Sequence, residues 1–269
     1  MFRSALLACA VLAALLLSCG ERAERSAPSV ARTASAAEAP AGAHEIVVFA
    51  TQSLRPEFLA LAQRYEADHP GAKVTLRCDG GAELLKAVNE GQRCDLVAIG
   101  DSSLMSRFAA GALLESGSAA ELARNRLAIA VVAGNPKNVR GLADLSRAEL
   151  RVALGAPSSS IGRYSRWVLS RAQLEVVPTL LAPHADGVLA RVASGEVDAG
   201  LVYVTSFVDA TVEKVEIPEE ANTPVLYSIA VTRRAVEAGG AAAFRSLALG
   251  EVGQSLLRAA GFLPPASGP

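Results

Sequence analysis

From Glu45 onward, short runs of Val, Ile, Leu and Ala alternate with longer stretches whose apolar residues recur every three to four positions. That alternation confines the chain to the α/β class, because each helical stretch must lay its apolar stripe on a sheet built from the intervening runs. Glu45–Ala50 reads as a buried strand, and Pro56–His69 as an amphipathic helix with Phe58, Leu61, Ala62 and Tyr65 on one face. Lys73–Arg77 is a second strand, Ala82–Glu90 a helix ended by Gly91, and Asp95–Gly100 a third strand. This βαβαβ run predicts a parallel sheet with helices on its faces. The pattern restarts with strands at Arg126–Gly134 and Arg151–Gly155, helices at Tyr164–Gln173 and Gly187–Ser194, and a strand at Gly200–Val204. Strands Lys214–Ile217 and Val225–Val231 and helices Val236–Leu249 and Val252–Ala260 complete it. Two such units fit two lobes better than one very wide sheet. Only seven Phe, four Tyr and one Trp occur, so the core is aliphatic, as buried parallel strands tend to be.

Ahead of this region the texture differs. Arg3 and the amino terminus are positive, and the apolar run ALLACAVLAALLL at 5–17 suits the core of a secretion signal. It is too short for a bilayer, which takes about 20 residues. Leu16-Leu17-Ser18-Cys19-Gly20 resembles the lipobox of bacterial lipoprotein precursors, which implies cleavage after residue 18 and lipid on Cys19 as a thioether. The other reading is an ordinary signal peptide with a chance cysteine. Residues 20–43 follow, sixteen of the twenty-four being Ala, Ser, Pro or Gly, with Val30 the one bulky aliphatic. Such a segment buries too little to order itself, so residues 19–44 read as a lipid-anchored tether spanning on the order of 25–30 Å. Removing residues 1–18 leaves 251, enough for one or two domains, and loss of Arg3 moves the formal charge from −1 to −2. That balance offers no nucleic-acid surface. No later run reaches eighteen apolar residues, so the membrane would be met through the lipid alone.

Cys78 and Cys94 then remain. An exported pair invites a disulfide, but Cys78 falls at the end of one strand and Cys94 at the start of the next parallel one. A crossover between them separates the two beyond the ~7 Å Cα limit, so two free, mostly buried thiols are expected.

Catalytic signatures are missing: the sequence contains no G-x-S-x-G and no G-x-x-x-x-G-K-[ST]. His44, His69 and His184 are too far apart for a compact metal set, so neither a cofactor nor a protein-ligated metal is expected. What stands out is a series of strand-to-helix turns rich in small polar residues, at the strand ends where open α/β sheets bind ligands. Helix amino termini there offer unpaired N–H groups to anions. Thr51 and Ser53 in the turn before Pro56 can donate to an oxyanion, or Ser53 simply caps the helix. Gly80 and Gly81 let backbone N–H groups approach a ligand, or form a plain tight turn. Ala156–Tyr164, with three serines including Ser160, opens one helix. Pro183–Gly187 opens another, with Asp186 as a cap. Tyr203 ends the strand after Gly195-Glu-Val-Asp-Ala-Gly.

Taken in order, these turns resemble the periplasmic molybdate-binding proteins of ABC transporters over about residues 45–263. The matching pieces are VVFATQSL at 47–54, E-G-x-x-C-D-L at 90–96, GEVDAGLVYVTS at 195–206, LYSIAV at 226–231 and AAGFL at 259–263. The resemblance implies a type II periplasmic-binding-protein fold, each lobe a mostly parallel sheet flanked by helices. Lobe I would be 45–125 plus 222–269 and lobe II 126–221. It implies an exported, non-enzymatic monomer on the periplasmic side of a bacterial membrane. Such a protein captures molybdate or tungstate between its lobes and docks on a transporter permease. The family's contact positions fall on Ser53, Gly81, Ile161, Ala185 and Tyr203, with Thr51, Gly80, Ser160 and Arg163 as further candidates.

Gly81 departs from the pattern, because the family has a serine there, and Asp79 lies two residues earlier. Molybdate, tungstate and sulfate are unprotonated at neutral pH, so their site wants donors; phosphate keeps a proton and can use a carboxylate. An unpaired carboxylate ~4 Å from a dianion costs roughly 2 kcal/mol even in water. Asp79 therefore points away, pairs with Arg77 or Arg163, or signals another ligand. The competing expectations are another oxyanion of the phosphate or sulfate type, another small solute, a ligand-sensing lipoprotein, and an exported hydrolase.

Overall fold

In the computed structural model, which describes residues 44–207 and 211–266, the apolar runs become strands of two sheets. In chain order the strands are β1 (Glu45–Thr51), β2 (Lys73–Asp79), β3 (Leu96–Ile99), β4 (Ala120–Asn125), β5 (Leu127–Val132), β6 (Val152–Gly155), β7 (Leu180–Ala182), β8 (Ala199–Tyr203), β9 (Val212–Glu216) and β10 (Val225–Val231). The helices are α1 (Arg55–Asp68), α2 (Gly81–Asn89), α3 (Ser102–Ala110), α4 (Ser160–Arg171), α5 (Ala185–Ala193), α6 (Ala238–Leu249) and α7 (Glu251–Ala259). Cys19 and the segments read as signal and tether lie outside the described residues.

The first sheet runs β2-β1-β3-β10-β4 and the second β7-β6-β8-β5-β9, the same order built twice. The two-lobed architecture expected from the sequence is present. The sheets, expected to be mostly parallel, are evenly mixed. β1 pairs parallel with β2 and β3, but β10 is antiparallel to β3 and β4. β6 likewise pairs parallel with β7 and β8, whereas β5 is antiparallel to β8 and β9. The physical reason is the crossover. β5 enters the second sheet directly from β4, and β10 returns to the first from β9, so neither arrives through a helix that would reverse its direction.

Both crossovers are pinned by buried asparagines. Asn222 Oδ1 accepts the Leu127 N–H at 3.1 Å, and its Nδ2 donates to the Leu127 carbonyl at 2.8 Å, tying the outgoing and returning chains together. Asn125, at the end of β4, accepts the N–H of Arg126 at 2.8 Å.

The most specific sequence pieces prove to be equivalent joints. α2 is followed by Gly91 (φ +82°) and α5 by Gly195 (φ +72°), left-handed positions that glycine adopts freely. Each is followed three or four residues later by an aspartate opening the next strand. Asp95 accepts the Val47 N–H at 2.8 Å and the Val236 N–H at 2.7 Å, with Arg93 at 3.1 Å. Asp198 accepts the Arg151 N–H at 2.9 Å and its guanidinium at 2.8 Å. Hydrogen bonds from Arg151 are the main reason that the Asp198 carboxyl sits below the usual carboxylate range.

Three elements escaped the sequence reading. β7 is only three residues long, β4 carries alternating charges, and α3 begins with serines after Asp101. The thiols are free: β1 lies between their strands, with Cys78 opposite Ala50 while Leu96, two residues after Cys94, is opposite Val48. Burial pushes Cys78 up to about 11 and Cys94 to about 12, so both stay protonated. Among the described residues no helix is long and apolar enough to cross a membrane.

Candidate functional site

The carboxyl ends of the parallel strands of both sheets face one cavity of about 160 Å³. This is well below the ~300–1,000 Å³ of pockets that hold drug-sized ligands. It is lined by the turns after β1 (Thr51, Gln52, Ser53), β2 (Asp79–Glu83), β6 (Ala156, Ser158–Ile161) and β7 (Pro183–Asp186), with Gly100 after β3 and Tyr203 ending β8. The lobes touch across it: a Cβ on Gly80 would stand 3.2 Å from the His184 ring.

α2, α4 and α5 begin on this cavity, at Gly81, Ser160 and Ala185. Their first N–H groups have no partner within the helix and lie at the positive end of its dipole. α4 is brought unusually close. A Cβ on Gly155 would be 2.4 Å from the Gly162 nitrogen, so only glycine at the end of β6 lets the helix start there. Ser159 caps α4 by accepting the Gly162 N–H at 3.1 Å, and Ile161 beside it lines the cavity. Asp186, read as the cap of α5, is instead in its first turn; His184 holds the cap position, without a side-chain bond.

Ser53 does not cap α1, whose cap position is Leu54; its hydroxyl lies 2.9 Å from the Tyr227 hydroxyl. Thr51 Oγ1 accepts the Gly100 N–H at 3.2 Å. The Tyr203 phenol has no hydrogen-bond partner among the described residues, and burial keeps it protonated far above its ordinary range. Where Gly81 lacks the expected serine hydroxyl, Leu104 occupies the space, with its Cδ1 2.7 Å from where a Cβ would be.

Charge is sorted by depth. The buried wall consists of Thr51, Gly81, Gly100, Ile161, Ala185 and Tyr203, all neutral, whereas Glu83 and Asp186 are exposed. Asp79 lines the cavity but is occupied: Oδ1 takes the Gly80 N–H at 2.8 Å and Oδ2 faces Arg77 at 3.3 Å.

Arg163 is the one candidate that the structure turns away from the cavity. Its guanidinium reaches across to Asp101, the cap of α3, through both Nε, at 3.1 Å, and Nη2. Nothing in the sequence flagged Asp101, because its partner lies 62 residues away.

Residues 46–263 match the family of bacterial extracellular solute-binding proteins. The chain belongs to this family. It is 32% identical to the molybdate-binding protein ModA of Mycobacterium tuberculosis over 258 residues, 95% of each chain. Among solved structures it resembles the periplasmic molybdate-binding protein of Azotobacter vinelandii, with TM-score 0.70, 18% identity, and coverage of 82% of this chain and 99% of that one. It also resembles the sulfate-binding protein SubI of M. tuberculosis, with TM-score 0.72, 19% identity, and coverage of 83% and 88%. These two likenesses fix the fold.

The Asp101–Arg163 pair joins the start of α3, beside the first sheet, to the first turn of α4, beside the second. Burial raises the Asp101 carboxyl, but hydrogen bonds from Ser103, Arg163 and the Leu104 N–H together outweigh it and hold the group below its usual value. A depressed carboxyl contributes stability above its unfolded value and loses it as pH falls through the folded one. The thermal-stability gap between the wild type and Asp101→Asn is therefore expected to be constant from about pH 5 to 8 and to shrink below about pH 4. A gap that varied between pH 6 and 8 would assign the contact to another titrating group.

Proposed function

We propose that this protein captures a fully deprotonated tetrahedral oxyanion, molybdate or tungstate, and delivers it to the permease of an ABC importer. The observation that carries this reading is the convergence of three helix amino termini and the hydroxyls of Thr51, Ser53 and Tyr203 on one small, neutral-walled cavity. Such a site supplies N–H and O–H donors to a dianion without a counter-charge. The identity to ModA over nearly the full chain supports molybdate as the ligand. Ser53, Gly81, Ile161, Ala185 and Tyr203 are assigned as direct contacts. Thr51 is added to them, because it lines the cavity and its Oγ1, which accepts the Gly100 N–H, keeps its own proton to donate. Gly80 and Ser160 contribute secondarily.

Capture needs no chemistry. The lobe built on the first sheet moves as one body and the lobe built on the second as the other, about the asparagine-pinned crossovers. The anion binds the closed form preferentially and so shifts the population toward it. Cys19, carrying lipid, and the tether after it would hold a monomeric receptor near its membrane partner, raising its effective concentration there.

Calorimetric titration of the soluble domain with molybdate, tungstate, sulfate and phosphate tests the reading. Heat with molybdate and tungstate is expected, and silence with both removes it. A preference for phosphate would assign Asp79 as an acceptor for the anion's proton. Ser53→Ala is expected to weaken molybdate binding by about tenfold, the loss of one charge-assisted hydrogen bond. Unchanged affinity in the same titration would leave Ser53 outside the contact set.

A further inference from the structure

At the far end of the first sheet lies a second and larger cavity, of about 470 Å³. Gly100, just after β3, lines the cleft, whereas Cys94, just before β3, lines this one. Six residues of extended chain put the two roughly 20 Å apart. The apolar wall is made by Val88, Cys94, Leu113 and Val236. The charged part is wholly cationic: Arg93, Arg233 and Arg234 line the cavity, and no Asp or Glu does. Arg93 is engaged by Glu45 at 3.4 Å and by Asp95 at 3.1 Å. Arg233 and Arg234 are exposed and have no ion-pair partner among the described residues, in a chain whose formal charge is −1. They are the central residues of a turn closed by the Ala235 N–H on the Thr232 carbonyl at 3.2 Å. Turn positions ordinarily go to Pro, Gly, Asn, Asp or Ser. This turn is also bolted down. Thr232 N–H donates to the Asp95 carbonyl at 2.9 Å, Arg233 N–H to the Leu113 carbonyl at 2.8 Å, and Val236 N–H to Asp95 Oδ1 at 2.7 Å. Two uncompensated guanidinium groups therefore stand on a fixed backbone, at a cavity with no carboxylate in its wall.

We propose that this cavity is a second anion site, which takes a phosphate group carried on a small organic body. Two neighbouring guanidinium groups suit the charge and the several oxygens of a phosphate better than those of a single carboxylate. The volume sets the rest. It is about three times that of the cleft and falls within the ~300–1,000 Å³ of small-molecule pockets. A bare oxyanion would leave most of it, and the apolar wall, unfilled. Such a ligand can arrive from solution as an organophosphate or from a membrane as a phospholipid headgroup. The described chain begins beside the cavity. Arg93 Nη2 donates to the Glu45 carbonyl, and His44 Nδ1 lies 3.2 Å from the carboxylate of Glu237, the residue after Val236. A lipid anchor on the segment before His44 would bring headgroups to this end of the lobe. The cavity shares no lining residue with the cleft, so this site stands apart from the oxyanion reading.

The test has two arms, each on the soluble chain from residue 20 onward. In one, glycerol 3-phosphate is titrated by calorimetry at pH 7.5. In the other, sedimentation with vesicles of mixed phosphatidylglycerol and phosphatidylcholine is compared with phosphatidylcholine alone. Binding in at least one arm is expected; glycerol 3-phosphate alone marks a soluble ligand, and phosphatidylglycerol alone a headgroup. In either case the double variant Arg233→Ala, Arg234→Ala is expected to weaken binding by tenfold or more, through loss of charge-assisted hydrogen bonds. Its melting temperature and molybdate affinity should match those of the wild type. Arg234→Gln alone is expected to act in the same direction, and serves if the double variant melts early. Ser53→Ala should leave this binding as it is. Silence in both arms overturns the proposal. So does binding that keeps its strength in the folded arginine variants, or that Ser53→Ala removes, since the phosphate would then sit in the cleft. Molybdate affinity read on the same samples keeps either failure distinct from failure of the oxyanion reading.

Discussion

Asp95→Ala is expected to lower the stability of the folded domain by about 2–4 kcal/mol, because it leaves two backbone N–H donors without their acceptor at about 1–3 kcal/mol each. Asp95 is fully buried and joins three separate parts of the chain. It holds β1 through Val47, the turn before α6 through Val236, and its own strand's start through Arg93. Alanine leaves those backbone donors and the guanidinium without the carboxylate, and water has little room to replace it. For a domain of this size the loss corresponds to a melting temperature lower by on the order of 10 °C. Asp198→Ala, which breaks the equivalent joint in the second sheet, is expected to cost less, because its carboxylate takes the backbone N–H of Arg151 alone whereas Asp95 takes those of Val47 and Val236. Thermal and urea denaturation of the two variants decide this. Equal small losses would mean that the joints are dispensable and that the shared helix–Gly–Asp–strand motif reflects topology alone.

Those two joints also show what the sequence makes legible. Gly91 and Gly195 stop helices, an aspartate follows, and an apolar strand begins; all of that is local, so a linear reading finds it. Tyr203 was visible for the same reason, as the last residue of the strand that Asp198 opens. The cavity-lining turns were found because small polar residues between a strand and a helix have few other uses. By contrast, Asn125, Tyr227, Asp101 and Arg163 act through partners distant in sequence. Ser53 and Tyr227 are 174 residues apart, and only the insertion of β10 between β3 and β4 brings them together. Tyr227 in LYSIAV reads as an ordinary strand residue with nothing to mark its hydroxyl. The mixed sheets were illegible for a related reason. Parallel and antiparallel strands carry the same apolar pattern when both faces are buried, and direction is set by the crossovers. Asp79 is an intermediate case. The sequence offered Arg77 and Arg163 as partners, and the choice between them was settled by Asp101, which claims Arg163 from the opposite lobe.

Gly162→Ala is expected to abolish tight oxyanion binding while leaving most of the fold intact. A Cβ at this position would lie 2.0 Å from the Ala156 carbonyl oxygen and 2.5 Å from that of Gly155. Both obstacles are backbone, so no side-chain rotation relieves them, and the start of α4 must withdraw from β6 by on the order of 1 Å. That displacement takes the Ser160 and Ile161 N–H groups beyond the ~2.7–3.2 Å range in which they can donate to an anion. With two charge-assisted bonds at about 1.5–3 kcal/mol each, a loss of at least one corresponds to roughly a tenfold to hundredfold rise in Kd, and loss of both to more. The same shift pulls Arg163, three residues into the helix, off Asp101, so closure is weakened along with contact. Gly239→Ala in α6 is the matched control: nothing lies within 4 Å of its added Cβ, and both stability and affinity should hold. Calorimetric titration with molybdate separates the two variants. Affinity within threefold of wild type in folded Gly162→Ala would remove the α4 amino terminus from the binding site, and with it the backbone contribution of the second lobe that Ile161 represents.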